Sequence, residues 1–406
     1  MTAQRPTPRI ALAHDWLVGY RGGEGVLDCL ARLISTDFRA GCLYTLFDDA
    51  RPLTPAIDAL PHRVSLLNRA PAAKKARRWL LPLYHAGVRH LSSMLAADHA
   101  REPVDLIVST SSAAVHAIRP PGGVPHLCYC HSPPRYLWHL GEQYSGGLMG
   151  AGLRVCSPVL RRLDARGANR VTTYIANSTH TRAMIRRFYD RDAEIVFPPV
   201  RTDYFTPRTD ATDAALSDTE KRTLDDIERW SRLRGSFLLC AGALEPYKKT
   251  ELAIEAALRS QRHLVIAGSG SQRSRLETLA TGSPLIRFLG RVSDPMLRAL
   301  YQRSSMLLFP QLEDFGIIAL EAQSCGTPVV AFGAGGALDS VIDAATGVHF
   351  PEQTAASLTV AITRCVELRL QPVACRANAA RFSEQIFMSA LSRHIRVAAG
   401  SPAGDS

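Results

Sequence analysis

Apolar residues along this chain follow two alternating patterns. Short apolar runs typical of buried strands, such as residues 9–16, precede longer stretches with helical spacing, such as residues 23–34. Further strands are predicted at 104–111, 125–132, 172–178 and 194–200, and then at 236–244, 262–270, 285–292, 305–311 and 327–333. Strands that alternate with helices form parallel sheets covered by helices on both faces. The pattern therefore predicts an α/β protein with two doubly wound sheets.

The region between the two halves differs in composition. Residues 201–235 are polar and charged, which is typical of a linker that contains an exposed helix. The predicted organisation is a Rossmann-like domain over 1–204, a linker over 205–235, a second Rossmann-like domain over 236–385, and a C-terminal helix and tail over 386–406. Ligands of open α/β sheets bind beyond the carboxyl ends of the strands. We therefore expect the ligand site in the cleft between two such domains.

The composition is that of a globular protein. Of the 406 residues, 46% are hydrophobic and 21% are charged, as in soluble domains. No apolar run approaches the roughly 20 residues that a membrane-spanning helix needs. The apolar run after Arg9 is short and is interrupted by His14 and Asp15, unlike a signal peptide. We therefore expect an intracellular, cytoplasmic protein.

Cysteine and aspartate spacing gives little support for a metal site. The nine cysteines include no C-x-x-C pair, which predicts reduced and mostly buried thiols. Cys128, Cys130 and His131 could ligate zinc, but no second ligand pair with zinc spacing accompanies them. The adjacent acids at 48–49 and at 225–226 are bare pairs without a D-x-D context. The sequence predicts a chemistry without metal or cofactor.

The charge balance favours anionic partners. The net charge is +11, and such a balance suits nucleic acids, anionic membranes or phosphorylated small molecules. Residues 69–90 carry several lysines and arginines, no acid, and interleaved leucines with Trp79 and Tyr84. Such a segment can lie on an anionic bilayer, or it can be a solvated helix face packed by its leucines. Nucleic acid is not expected, because no nucleic-acid-binding motif accompanies the charge.

Two sites near predicted strand ends could bind an anion. Gly22 and Gly23 open the first helix, where backbone N–H groups can approach an anion, or they form a simple tight turn. Lys248 and Lys249 lie at a helix start, against the preference of the helix dipole. A bound phosphate would relieve that cost, although a pair of exposed lysines is an equal alternative.

Two acids lie eight positions apart after a later strand. Glu313 follows the strand end, Gly316 permits close backbone approach, and Glu321 lies on the helix that follows. A carboxylate can accept two hydrogen bonds, as from the hydroxyls of a ribose. Two surface acids near a helix start are the other interpretation, since the dipole favours them there.

Taken together, these stretches resemble the retaining glycosyltransferases of the large GT4 family, which have the GT-B fold. Residues 313–341, "EDFGIIALEAQSCGTPVVAFGAGGALDSV", look like the E-x7-E signature of that family with its following glycine segments. Residues 14–31, "HDWLVGYRGGEGVLDCLA", look like its N-terminal glycine loop. The resemblance covers nearly the whole chain. It is nearest to bacterial mannosyltransferases of surface-polysaccharide assembly, similar to those using GDP-mannose.

The resemblance implies a role for each matching residue. Glu321 would hold the nucleotide ribose, Glu313 would contact the donor sugar, and Lys248 would neutralise the diphosphate. His131 would lie beside the donor sugar at the reacting carbon, so the implied catalytic residues are His131, Glu313 and Lys248. The implied donor site comprises Gly22, Gly23, Lys248, Lys249, Arg291, Val292, Glu313, Phe315, Gly316, Ile317 and Glu321, with Gly335 and Gly336 bordering the sugar phosphate.

One position departs from the family pattern. Many members have an arginine where this chain has Ala243, so one positive charge on the leaving diphosphate is missing. Lys249 or Arg291 could replace it. A charge-assisted phosphate contact contributes roughly 1.5–3 kcal/mol, so an uncompensated loss would weaken donor binding.

The resemblance implies retaining transfer of a hexose, namely mannose from GDP-mannose, onto a lipid-linked glycan acceptor in polysaccharide biosynthesis. The enzyme would work in the cytoplasm, peripherally on the inner face of the membrane. A UDP-sugar-dependent transferase and a sugar-nucleotide epimerase of the same fold are alternatives. A non-catalytic sugar-nucleotide-binding scaffold is an alternative from another class.

Overall fold

The chain forms two compact units, each built around one parallel sheet. The computed structural model describes residues 7–70, 77–138, 147–232 and 236–400. The first unit comprises Met1–Pro199 and Gln385–Ser406, and the second comprises Val200–Glu384. This confirms the predicted α/β class with two doubly wound sheets.

The sheet of the first unit has the strand order β3-β2-β1-β4-β5-β6-β7. Its strands are β1 (Arg9–Leu17), β2 (Arg39–Asp48), β3 (His62–Val64), β4 (Leu106–Ser111), β5 (His126–Cys130), β6 (Thr173–Ala176) and β7 (Glu194–Ile195). All neighbouring strands are parallel. The strand order reverses between β1 and β4, and the carboxyl ends of these two strands mark the expected ligand position in such a sheet.

The sheet of the second unit repeats this arrangement, with the order β10-β9-β8-β11-β12-β13. Its strands are β8 (Leu238–Ala241), β9 (Leu264–Ala267), β10 (Ile286–Gly290), β11 (Met306–Phe309), β12 (Val329–Phe332) and β13 (Gly347–Phe350). Here too neighbouring strands are parallel. The reversal lies between β8 and β11, so loops after these two strands meet at one edge of the sheet.

Helices cover both faces of the first sheet. They are α1 (Gly22–Asp37), α2 (Pro55–Asp58), α3 (Tyr84–Arg101), α4 (Arg135–Trp138), α5 (Gly147–Ala168) and α6 (Thr179–Tyr189), with 3-10 turns at Leu66–Arg69, Arg77–Leu83 and Val115–Ala117. Within the basic segment 69–90, Pro82 lies in the 3-10 turn and α3 begins two residues later. Residues 71–76 of that segment lie outside the described residues.

Helices also cover the second sheet. They are α7 (Asp210–Ala214), α8 (Asp218–Ser231), α9 (Thr250–Arg259), α10 (Arg273–Leu279), α11 (Asp294–Arg303), α12 (Ile317–Ser324), α13 (Ala337–Ser340), α14 (Ala355–Leu368) and α15 (Pro372–Ala380), with a 3-10 turn at Pro246–Lys248. Side-chain hydrogen bonds fix the residue at which α8 begins. At α8, the Ser217 hydroxyl accepts from the Glu220 N–H at 3.3 Å, and the Glu220 carboxylate accepts from the Ser217 N–H at 2.9 Å, which is a capping box.

The last helix, α16 (Glu384–Ala398), packs in the first unit. Its apolar side chains Phe387, Leu391 and Ile395 are fully or nearly fully buried in one core of the first sheet, beside α1. The rings of Phe387 and Tyr129 of β5 meet edge to face at 5.6 Å. The first unit is therefore assembled from both ends of the chain.

The structure places residues 205–231 inside the second unit, whereas the sequence predicted a linker there. Phe205, Leu224 and Ile227 are buried in the core that also contains Phe237. Leu224, Ile227 and Trp230 of α8 lie three positions apart, so they share its inward face while the charged majority faces outward. The polar composition of this segment concealed its few inward positions.

Among the described residues, no helix combines the length and apolar content that spanning a membrane requires.

Candidate active site

The predicted site residues fall into two groups, one in each unit. In the second unit, Lys248 ends the 3-10 turn after β8, and Glu313 follows β11. Although 65 positions separate them, Lys248 Nζ and a carboxylate oxygen of Glu313 form an ion pair. Their side chains are 17% and 16% exposed. The pair forms because β8 and β11 are neighbours at the point where the strand order reverses.

Gly316 shapes the backbone after Glu313. Its φ is +93°, and a Cβ atom there would lie 2.5 Å from Cζ of Phe309. Only glycine adopts this conformation without strain and avoids that collision. The turn directs the chain into α12, which begins at Ile317 and carries Glu321.

Glu321 is a buried acid, with 8% of its surface exposed. Its carboxylate accepts a hydrogen bond of 3.3 Å from the hydroxyl of Tyr301. Burial raises the pKa of Glu321 to about 7, partly opposed by the positive charge of Arg201. A carboxyl group with such a pKa is partly protonated near neutral pH. Hydrogen-bond donors of a ligand would favour its ionised form, so the group suits a binding site.

Gly335 and Gly336 pack directly on the loop that carries Glu313. The N–H of Gly336 donates to the backbone oxygen of Glu313 at 2.9 Å. A Cβ at Gly335 would collide with that same oxygen, and one at Gly336 with the backbone of Phe315. The glycine pair therefore fixes the position of the Glu313 loop.

The structure limits the part that Phe315 can play. Its side chain is 3% exposed, and its ring packs against Phe382 at 5.7 Å. Any donor contact by Phe315 would thus come from its backbone. The side chain instead anchors the loop between Glu313 and Gly316.

Other predicted donor residues surround the same edge of the sheet. Lys249 follows Lys248 with a φ of +52° and precedes α9. Arg291 and Val292 follow β10, which is the edge strand two places from β8. Arg291 is exposed and Val292 is half-buried. The described contacts do not join Arg291 to the Lys248–Glu313 pair, and Ala243 is exposed between β8 and Lys248.

In the first unit, Gly22 and Gly23 begin α1 after β1, and His131 follows β5. A Cβ atom built on Gly23 would lie 3.8 Å from Nε2 of His131 and 3.8 Å from Cε1 of His14. His14 Nδ1 lies 2.5 Å from the hydroxyl oxygen of Thr110 on β4. Three neighbouring strands thus bring two imidazoles to the start of α1.

Both histidines have a ring nitrogen available for a ligand. The Nε2 atoms of His14 and His131 are buried and have no hydrogen-bond partner among the described residues. Burial lowers the pKa of His14 to about 4 and that of His131 to about 3. Both rings are therefore neutral at pH 7, so each can donate or accept a hydrogen bond without placing a charge there.

Asp15 fixes the adjacent loop after β4. Its carboxylate accepts hydrogen bonds from four successive backbone N–H groups of residues 112–115, at 2.6–3.0 Å. The carboxylate is 1% exposed. Asp15 and His14 were not among the predicted site residues. Two polar residues inside an otherwise apolar strand were the available signal, because such residues in a buried parallel strand need a partner or a function.

The described residues contain no cluster of three or more His, Cys, Asp or Glu side chains that could hold a metal ion. Cys128 and Cys130 are buried within β5. Desolvation raises the pKa of the Cys128 thiol to about 12.

Two family models match the chain in tandem. Residues 45–204 match the model described as "Glycosyltransferase Family 4", and residues 227–382 match the one described as "Glycosyl transferases group 1". Together with the two Rossmann-like units, these matches support assignment of the chain to the GT4/GT-B group of glycosyltransferases.

Relatives of known description match part of the chain. D-inositol 3-phosphate glycosyltransferase of Geodermatophilus obscurus is 33% identical over 231 residues, covering 52% of this chain and 49% of that protein. Glycogen synthase of Mycobacterium tuberculosis is 36% identical over 173 residues, covering 38% and 41% respectively. The chain thus spans about half the length of the curated relatives it matches.

Solved structures match over nearly the full length. Sucrose-phosphate synthase from Thermosynechococcus elongatus superposes with a TM-score of 0.72 at 18% identity, covering 96% of this chain and 98% of that one. HepE of Anabaena in complex with UDP-glucose gives 0.66 at 17% identity, with coverages of 96% and 99%. At such identities the likeness concerns the fold.

Proposed function

We propose that this chain is a retaining hexosyltransferase that moves mannose from GDP-mannose onto a lipid-linked glycan acceptor in polysaccharide biosynthesis. The observation that carries the proposal is the ion pair of Lys248 and Glu313 at the strand-order reversal, next to the helix of Glu321. A cation, a partly buried acid and a buried acid in this part of the second unit would suit the phosphate, sugar and ribose of a nucleotide sugar.

The donor diphosphate would exchange partners with this ion pair. Lys248 is bound to Glu313 in the described state, so a diphosphate that reaches Lys248 competes with the carboxylate. Once released, Glu313 can accept hydrogen bonds from hydroxyls of the donor sugar. Donor binding would then position the sugar and neutralise the leaving group in a single rearrangement.

Glu321 would hold the ribose. Its ionised carboxylate can accept hydrogen bonds from both ribose hydroxyls, which offsets the desolvation that burial imposes on the charge. Binding of the nucleoside would thus favour the ionised form and release a proton from the fraction that is protonated near pH 7.

The first unit would contribute neutral groups. The amides at Gly22 and Gly23 lie at the N-terminus of α1, where the helix dipole favours an anion. His131, as a neutral imidazole, would hydrogen-bond to the sugar near the reacting carbon. Because its pKa is lowered to about 3, it would do so without acting as a cation.

The reaction itself exchanges one bond at the anomeric carbon. The bond to the diphosphate oxygen breaks, and the acceptor oxygen bonds to the carbon on the same face. The leaving phosphate takes the proton of the acceptor hydroxyl, and Lys248 stabilises the charge on the departing diphosphate. The proposal includes no metal, since the D-x-D run at 190–192 follows α6 and its Asp192 forms an ion pair with Arg182.

The acceptor is proposed to be a glycan on a lipid diphosphate at the inner face of the cytoplasmic membrane. The net charge of +11 and the basic segment 69–90 support a membrane contact near the first unit. One structural neighbour is a lipopolysaccharide outer core galactosyltransferase, which is compatible with an acceptor of this class.

A UDP-sugar is the second candidate donor, because the HepE structure holds UDP-glucose. Calorimetric titration with GDP, UDP and ADP side by side separates the candidates. Tight binding of GDP alone supports the proposal, whereas preference for UDP or ADP discards GDP-mannose and retains the reaction class. Binding of none favours a non-catalytic scaffold and makes the missing arginine at Ala243 decisive.

Product analysis separates transfer from epimerisation. With the preferred nucleotide sugar and a lipid-linked oligosaccharide, a transferase yields an extended glycan and a nucleoside diphosphate. An epimerase changes the free sugar without any acceptor. Loss of nucleotide binding in Glu321→Ala would support the site assignment, and unchanged binding would contradict it.

A further inference from the structure

Helix α5 exposes a row of apolar side chains. Val155, Val159 and Leu163 lie four positions apart and are 80%, 59% and 37% exposed. Residues four apart stand one above another on a helix, so the three form a continuous ridge. Leu160 and Asp164 of the same helix are buried against the unit. The exposed ridge therefore lies on a different face of α5 from the one that packs against the unit.

Arginines share this outward face. Arg162 and Arg166 are exposed, and their spacing places them beside the apolar ridge. No carboxylate among the described residues forms an ion pair with either guanidinium. Exposed arginines of a protein surface ordinarily alternate with acids, so this uncompensated group is unusual.

The acid that does occur in residues 155–170 is used internally. Asp164 is fully buried and accepts hydrogen bonds from Trp138 Nε1 at 2.7 Å and from the Tyr189 hydroxyl at 2.9 Å. Its carboxylate also lies 3.2 Å from Nε2 of His116. It does not neutralise the outward arginines at their guanidinium groups.

Cationic side chains also occur on the surface next to α5. Burial and the nearby charge of Arg119 lower the pKa of Arg170, which places two more cations together after the end of α5. Cationic groups thus continue beyond the helix.

We propose that the outward face of α5, defined by Val155, Val159, Arg162, Leu163 and Arg166, docks on an anionic phospholipid bilayer. Exposed valine and leucine would enter the boundary between headgroups and acyl chains, and the arginines would pair with lipid phosphates at the same depth. A soluble polyanion would use the arginines alone. A bilayer with anionic lipids satisfies both the ridge and the charge.

This proposal rests on the proposed function, because membrane docking serves the enzyme only when its acceptor is linked to a lipid. It places the main membrane contact on α5, and segment 69–90 is the alternative surface that the test below separates from it. Lipid binding by the protein can be measured without any enzymatic activity. Failure of either proposal can therefore be recognised separately.

The test is co-sedimentation of the full chain with vesicles of phosphatidylcholine alone and of an equal mixture with phosphatidylglycerol. The variant combines Val159→Asp with Arg162→Glu. The matched control combines Val373→Asp with Arg376→Glu on α15, where Val373 is 68% exposed and Arg376 is exposed. Both double variants change an exposed valine and an exposed arginine three positions apart, and both alter the net charge equally.

We expect the wild type and the control to bind the mixed vesicles and not phosphatidylcholine, with binding that weakens at high salt. The α5 variant should bind about a hundredfold more weakly, from one lost apolar contact and one reversed charge. Its turnover of a water-soluble acceptor should match the wild type, which separates docking from catalysis.

Three results would overturn the inference. They are wild-type binding without preference for anionic lipid, equal losses in the α5 variant and the control, and retained binding in the α5 variant. Arg77→Glu with Arg78→Glu then identifies the alternative surface, because loss of binding there alone assigns the contact to segment 69–90.

Discussion

The imidazoles of His14 and His131 converge on Gly23, where one added carbon atom would lie 3.8 Å from both rings. That distance is an ordinary van der Waals contact, so a methyl group fits the fold while it fills the space between the rings. Gly25, two residues further along α1, would place its Cβ 3.6 Å from the Tyr20 hydroxyl. The two glycines therefore form a matched pair for substitution.

Gly23→Ala and Gly25→Ala should each stabilise the fold slightly, by about 0.5–1 kcal/mol, because alanine has the higher helix propensity. Gly23→Ala alone should lower the transfer rate, by about a hundredfold, since the methyl group displaces a ligand that reaches both imidazoles. Thermal unfolding and initial-rate measurements on both variants test this. Equal activity in the two variants would show that the space at Gly23 holds no substrate.

Lys248→Ala should weaken nucleoside diphosphate binding by roughly 1.5–3 kcal/mol and leave nucleoside binding unchanged, because the lost contact is to phosphate. Titration with GDP and with guanosine checks the distinction. Lys221→Ala is the control, since that lysine lies exposed on α8 near Asp218. A parallel loss for guanosine would place Lys248 outside the phosphate site.

Lys249→Ala resolves the departure at Ala243. If Lys249 supplies the missing positive charge, its removal should weaken GDP binding about as much as removal of Lys248. An unchanged affinity would leave Arg291 as the remaining candidate.

Glu313→Gln should separate binding from turnover. The amide cannot form the ion pair with Lys248, so the lysine is available to the diphosphate and GDP should bind as tightly as in the wild type or more tightly. Transfer should fall, because the amide is a weaker acceptor for sugar hydroxyls than the carboxylate. Weaker binding of GDP alone would contradict the proposed exchange of partners at Lys248.

Glu321→Gln should raise stability at alkaline pH. The pKa of Glu321 rises from its ordinary 4.5 to about 7 on folding, so between these values the folded chain binds more protons than the unfolded chain. Stability conferred by this group therefore decreases as pH rises through that window, by about 3 kcal/mol at most. Urea unfolding at pH 5 and pH 8 should show the variant gaining over the wild type only at the higher pH. An equal difference at both pH values would contradict the raised pKa.

Nucleotide affinity should also depend on the protonation state of Glu321. Unlike stability, it should increase as pH rises. If the ionised carboxylate binds the ribose, affinity should be constant above pH 8 and fall about tenfold per unit well below pH 7. The dependence should vanish in Glu321→Gln, which binds weakly throughout. His14 and His131 should add no inflection near pH 6, because burial lowers their pKa values to about 4 and 3.

The alternation of strands and helices was sufficient to predict both sheets, because parallel strands buried on two faces are almost continuously apolar. The pattern could not set the limits of residues 205–231. There the decision rests on a few apolar residues such as Phe205 and Leu224 among many charges, and only the tertiary structure shows what they pack against.

Part of the candidate site could likewise be predicted from the sequence, and part could not. The spacing of Glu313, Gly316 and Glu321 is local, so the turn and the helix between the two acids could be inferred from sequence. The contact between Lys248 and Glu313 depends on the pairing of β8 with β11, and that of His14 with Thr110 on the pairing of β1 with β4. Such contacts follow from strand order, which composition and periodicity do not specify.

Helix α16 also has a consequence for the order in which the protein is made. Phe387, Leu391 and Ile395 complete a core whose other members lie in the first two hundred residues. During synthesis, the whole second unit leaves the ribosome before these three side chains do. Domains generally fold as units while the chain emerges, so the first unit must wait with part of its core open, and the unit begun first is the one finished last.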